Sequence, residues 1–102
     1  MINEERIREE LRTIIDPELG INIVDLGLIY DVGIVQNTGE VEIIMTLTSP
    51  GCPLSMVFED WVPAAVKRVP GVQNARINLV WEPAWNPDKI SEEAKEELGI
   101  IQ

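Results

Sequence analysis

Apolar residues near the start of the chain recur as Ile7, Leu11, Ile14 and Ile15, with polar positions between them, which is the spacing of one helical face. Asn3 suits an N-cap, Glu4 and Glu5 suit the positive end of the helix dipole, and Glu4 can pair with Arg8 one turn on. The pattern predicts a helix from Glu4 to Ile15. Pro17 disfavours helical geometry at Asp16, so Asp16-Pro17-Glu18-Leu19-Gly20 reads as a loop. From Leu28 the period changes to two: Leu28, Tyr30, Val32 and Ile34, then Val41, Ile43, Met45 and Leu47 beyond Gln36-Asn37-Thr38-Gly39. This predicts a β-hairpin with a four-residue loop. Val35 then faces Glu40, Val32 faces Ile43, Tyr30 faces Met45 and Leu28 faces Leu47, all with one apolar side. The open end of such a hairpin brings Asp25, Leu26 and Gly27 beside Thr48, Ser49 and the residues after them.

A second helix is expected from Pro53, a favoured first helical position, with Leu54, Val57, Phe58, Trp61, Ala65, Val66 and Val69 facing inward. Pro63 removes the bond to the Glu59 carbonyl at a cost of about 3 kcal/mol, so a kink or break is expected there, and Pro70-Gly71 ends the element. Val72 to Trp81 reads as a third strand with Ala75, Ile77, Leu79 and Trp81 on one face. A strand-helix-strand crossover makes it parallel to the second strand, so the sheet is mixed. Trp81 and Trp85 are expected to cover the core at the end of that strand. A short polar helix follows, capped by Ser91 and stopped by Gly99. The expectation is one compact α/β domain over residues 1–102, order α-β-β-α-β-α, with a three-stranded mixed sheet and helices mainly on one face.

Cys52 lies in Ser49-Pro50-Gly51-Cys52-Pro53. A residue before proline is extended, and Pro53 starts the helix, so Cys52 falls at the N-cap, where the helix dipole and free amides favour thiolate over thiol. That is the form needed for attack and for binding metal. The competing reading makes Cys52 a small buried hydrophobe and the residues before it a plain turn.

Composition narrows the chemistry. With 45% apolar and 25% charged residues the chain has the balance of a folded protein, and 102 residues bury roughly 65% of the unfolded surface in one modest core. Eight Lys and Arg against a formal charge of −10 repel phosphates and anionic lipid, which argues against nucleic acid and membrane surfaces as partners. The start Met1-Ile2-Asn3-Glu4-Glu5 lacks a signal-peptide pattern and no apolar run reaches spanning length, so a cytoplasmic location is expected. A lone cysteine makes no internal disulfide. Histidine is absent, which excludes Cys-His and Ser-His catalysis and imidazole zinc sites.

Asp16-Pro17-Glu18, Asp25-Leu26-Gly27-Leu28-Ile29-Tyr30, Met45-Thr46-Leu47-Thr48-Ser49-Pro50-Gly51-Cys52-Pro53 and Trp81-Glu82-Pro83-Ala84-Trp85 stand in one order along nearly the whole chain. Together they resemble the SufT-like and PaaD-like iron-sulfur cluster assembly family. The resemblance implies a compact α/β domain that matures iron-sulfur proteins, alone, fused to P-loop ATPases of the Mrp type, or beside aromatic-acid breakdown enzymes. It makes Cys52 the reactive thiolate and metal ligand, with Asp16, Glu18, Asp25, Thr46, Thr48, Ser49 and Gly51 as candidate lining residues. Each companion also has an ordinary reading: Asp16 caps a turn, Asp25 holds a loop amide, and Thr46 and Thr48 are strand residues.

One thiolate leaves an iron-sulfur cluster, which usually takes four protein ligands, incompletely held, so the resemblance implies a transient cluster absent from the isolated protein. Partners are expected to be apo iron-sulfur proteins and other assembly factors. A weak homodimer, which would supply a second cysteine, is also expected; Ile29, Ile44 and Val80 on the second face of the sheet suit a dimer or partner patch, or equally cover by the C-terminal segment. The alternative function is an adaptor that recruits clients without binding metal. A thiol enzyme ranks last, because no histidine activates the sulfur, no C-x-x-C provides a redox pair and no Gly-rich loop suggests a nucleotide.

Overall fold

The computed structural model describes residues 2–17, 19–47 and 54–98. Helix α1 (Glu4–Leu11) starts as expected: Asn3 Oδ1 accepts from the Glu5 amide at 2.8 Å and from the Arg6 amide at 3.4 Å. Arg8 Nε donates to Glu4 Oε2 at 3.1 Å. The helix ends four residues before Ile15, because the β-branched run Thr13-Ile14-Ile15 loses side-chain freedom in a helix. Those residues instead make a short antiparallel contact, with Ile15 bridging Asn22 and the Ile23 amide donating to the Ile14 carbonyl at 3.1 Å.

Strands β1 (Ile29–Val35) and β2 (Glu40–Met45) form the expected hairpin, and the outer pairs, Val35 with Glu40 and Val32 with Ile43, are as the alternation predicts. The inner pairs are not. The register shifts between Ile29 and Asp31, so Ile29, not Tyr30, faces Met45, and the Thr46 amide donates to the Leu28 carbonyl at 2.9 Å where Leu47 was expected to face Leu28. The extra residue is a bulge. Beside it, Asp31 Oδ1 accepts from the Val32 amide at 2.8 Å. The bulge frees Tyr30 from the apolar row.

Strand β3 (Asn74–Leu79) pairs in parallel with β2, Val41 with Ala75, Ile43 with Ile77 and Met45 with Leu79, in a sheet of order β1-β2-β3. It is shorter than the expected Val72–Trp81, and Trp81 lies beyond it, 42% exposed instead of on the core. Trp85 does cover the core, half-buried against it. Helix α2 (Leu54–Val66) supplies the crossover between β2 and β3. It runs through Pro63 without a break, and it turns Val62 inward where Trp61 was expected, leaving Trp61 48% exposed. Phe58, Val62, Ala65 and Val66 fill one helical face against Ile7 and Leu11 of α1 and Val41, Ile43 and Met45 of β2. Each such side chain is worth roughly 1.5–3 kcal/mol when fully buried. A single 3-10 turn, Pro87–Lys89, leads to α3 (Glu92–Leu98), where Ser91 Oγ accepts from the Ala94 amide at 3.2 Å as the cap predicts. Gly99 and the start at Pro53 lie outside the described residues. No described helix is long and apolar enough to cross a membrane.

Candidate functional site

Of the candidate residues, Cys52, Glu18, Thr48, Ser49 and Gly51 lie outside the described residues, while Asp16, Asp25 and Thr46 lie within them. The flanks of the cysteine-bearing loop are therefore defined by Leu47 on one side and by the first turn of α2 on the other.

Asp16 closes its own loop. Its amide donates to the Ile21 carbonyl at 2.9 Å, its carbonyl accepts from the Gly20 amide at 2.7 Å, and its Oδ1 accepts from the Leu19 amide at 3.3 Å. The side chain is buried, 2% exposed. Gly20 takes φ +72, a conformation that side chains disfavour, at the tightest point of that turn. Asn22 joins this loop to the next: its backbone bridges Ile15, its Nδ2 donates to Asp25 Oδ2 at 2.8 Å, and its Oδ1 accepts from the Asp25 amide at 2.9 Å. The two aspartates thus belong to one hydrogen-bonded segment, 14–28, although the expectation treated them as separate loops.

Thr46 is fully buried and continues the β2 direction beside Leu28. Its hydroxyl reaches the Leu47 carbonyl only at 3.5 Å, the outer limit of a hydrogen bond. Asp16 and Thr46 are the buried polar side chains among the described residues. A polar group held out of water costs free energy unless it is hydrogen-bonded, so the burial of these two motif residues sets them apart from the other polar side chains described.

The segment after β3 packs across residues 25–30. Trp85 Nε1 donates to the Leu26 carbonyl at 2.7 Å, and the Ser91 amide donates to the Asp25 carbonyl at 2.7 Å. Tyr30, released by the bulge, donates from its hydroxyl to the Pro83 carbonyl at 2.6 Å, with the Lys89 ammonium 5.1 Å from its ring centre. Desolvation raises the Tyr30 phenol above its ordinary value, so it remains a donor at neutral pH. Gly27, at φ +79, lies against Lys89 so closely that a Cβ there would meet the Lys89 carbonyl oxygen, and would lie 2.7 Å from the Lys89 Cβ. Sequence reasoning did not find this strap. Its signal was the Trp81-to-Trp85 motif, whose second tryptophan needs a partner for its indole N–H.

Among the described residues no group of three or more Cys, Asp or Glu side chains is arranged to hold a metal ion.

Residues 4–79 match the model of the family described as iron-sulfur cluster assembly protein. The chain is 45% identical to the Fe-S protein maturation auxiliary factor YitW of Bacillus subtilis, covering 95% of this chain and 94% of that protein. It is also 45% identical to the Fe-S protein maturation auxiliary factor SufT of Staphylococcus aureus, over 85% of this chain and 98% of the relative. The fold matches the crystal structure of a domain of unknown function from Bacillus anthracis with a TM-score of 0.87 and 40% identity, covering 96% of this chain and 92% of that one.

Proposed function

Since the chain belongs to the iron-sulfur cluster assembly protein family, we propose that it assembles, carries or targets clusters, using Cys52 as a transient ligand and handing its cargo to apo-proteins. The observation that carries this reading is likeness along nearly the full length of both chains to proteins named Fe-S protein maturation auxiliary factors. Those names describe auxiliary factors and not enzymes, in keeping with the absence of histidine and of any redox cysteine pair in the sequence.

The chemistry follows from ligand number. A cluster is normally held by four protein ligands, and this chain contributes at most one thiolate, so the remaining positions belong to small thiols or to the client. Incoming client thiolates then displace a single protein sulfur, and a loosely held cluster is a cargo rather than a resident cofactor. The burial of the motif residues Asp16 and Thr46, and the Asn22–Asp25 hydrogen bond that orders the loop between them in sequence, support the reading.

Anaerobic reconstitution with ferrous iron and sulfide tests the proposal. Wild-type protein should take up iron and sulfide with visible absorption, and Cys52→Ser should retain roughly a tenth or less, because the one soft ligand is gone. Equal, negligible uptake by both proteins, with client binding intact, would instead establish the adaptor role.

A further inference from the structure

An unpartnered apolar feature of the described residues lies on α2 and the residues that lead into the Asp16 loop. Met56 is 74% exposed and Trp61 48% exposed. By contrast, Ile29, Ile44 and Val80 on the second face of the sheet are all partly buried. Trp61 packs edge-on against buried Phe58, ring centres 6.4 Å apart, which fixes its orientation. Beside it runs an open groove of about 430 Å³ lined by Thr13, Ile14, Ile15, Trp61, Ala64 and Arg68.

The C-terminal half of the same helix carries charges of opposite sign at its two limits. Asp60 lies at the midpoint of α2 and Lys67 one residue past its end, two helical turns apart and so on one side; both are exposed, and neither is ion-paired among the described residues. Ala64, small and exposed, stands between them.

We propose that this face is a docking surface for a second copy of the chain, with the two α2 helices antiparallel and related by a two-fold axis near Ala64. Antiparallel pairing sets Asp60 of each copy opposite Lys67 of the other, twice by symmetry, with Trp61 and its groove covered between them and the small side chain of Ala64 allowing close approach. A single helix face is a small interface, so the dimer forms at high micromolar concentration. At 1.5 Å per residue, the ten residues from Ala64 back to Leu54 hold the two Leu54 residues about 30 Å apart. This dimer therefore does not bring two cysteine-bearing ends together, and the proposal stands independently of cluster binding.

Sedimentation velocity on the full chain tests it. The weight-average mass should rise from 11.5 kDa toward twice that value between low and high micromolar protein. Asp60→Lys and Lys67→Asp should each weaken association roughly tenfold by placing like charges together, and the double variant should recover most of the loss. Trp61→Ser should also weaken it, with circular dichroism unchanged because the residue is exposed. Iron uptake per chain by Asp60→Lys should equal that of the wild type. A wild type that stays at 11.5 kDa, a double variant no stronger than the singles, or a dimer indifferent to Trp61→Ser overturns the proposal. Loss of iron uptake in step with dissociation overturns the antiparallel arrangement.

Discussion

Gly27 shows how a single position ties two distant segments together. Its φ of +79 suits a residue without a side chain, and the Lys89 backbone fills the space a Cβ would occupy. Gly27→Ala combines left-handed strain with backbone overlap and should destabilise the fold by roughly 2–3 kcal/mol in urea unfolding. Gly33 provides the control: its nearest neighbour, the Glu42 carbonyl oxygen, would be 3.8 Å from the new Cβ, so Gly33→Ala should stay within about 0.5 kcal/mol of wild type. Asp16 and Asp25 were legible as candidates from their motifs, and the ordinary roles also hold, since one closes a turn and the other binds a loop amide. Their linkage through Asn22 was not legible, because a side chain bridging two loops leaves no periodic trace in the sequence.

Among the elements, α2 departs most from expectation. Its spacing marked a helix correctly, yet Trp61 and Val62 compete for the inward position and hydrophobicity alone favours the larger one. Packing decided otherwise: Val62 is fully buried in the core cluster and Trp61 is left half-exposed. Pro63 was expected to kink or break the helix, and the helix does not break, since Phe58, Val62, Ala65 and Val66 anchor both halves to the same core. Tertiary contacts outweigh a local loss of about 3 kcal/mol. Pro63→Ala restores a donor to the Glu59 carbonyl and should raise stability by about 1 kcal/mol, seen as a higher urea midpoint with unchanged slope. The hairpin offers the complementary lesson. Alternation located both strands and their outer register, but alternation assumes an unbroken ladder, and the register shifts at Tyr30.

Taken as a whole, the molecule carries a formal charge of −10 in 102 residues. Such a charge repels itself in the compact state, and the exposed ion pairs, such as Arg6–Glu9 and Arg76–Glu42, offset little of that. Raising salt from 0.01 to 0.15 M shortens the screening length from about 30 to about 8 Å, so the thermal midpoint should rise by about 2 °C or more. A fall would mean that local ion pairs outweigh the net repulsion. The amino-acid sequence by itself determined the element order, the mixed sheet, the caps at Asn3 and Ser91 and the family, because periodicity, capping residues and short motifs are local and survive without three-dimensional context. Only the tertiary structure decided the bulge at Tyr30, the outward turn of Trp61, the burial of Asp16 with Thr46 and the strap across Gly27. Each of these depends on residues far apart in the chain meeting in a space whose shape no single segment specifies.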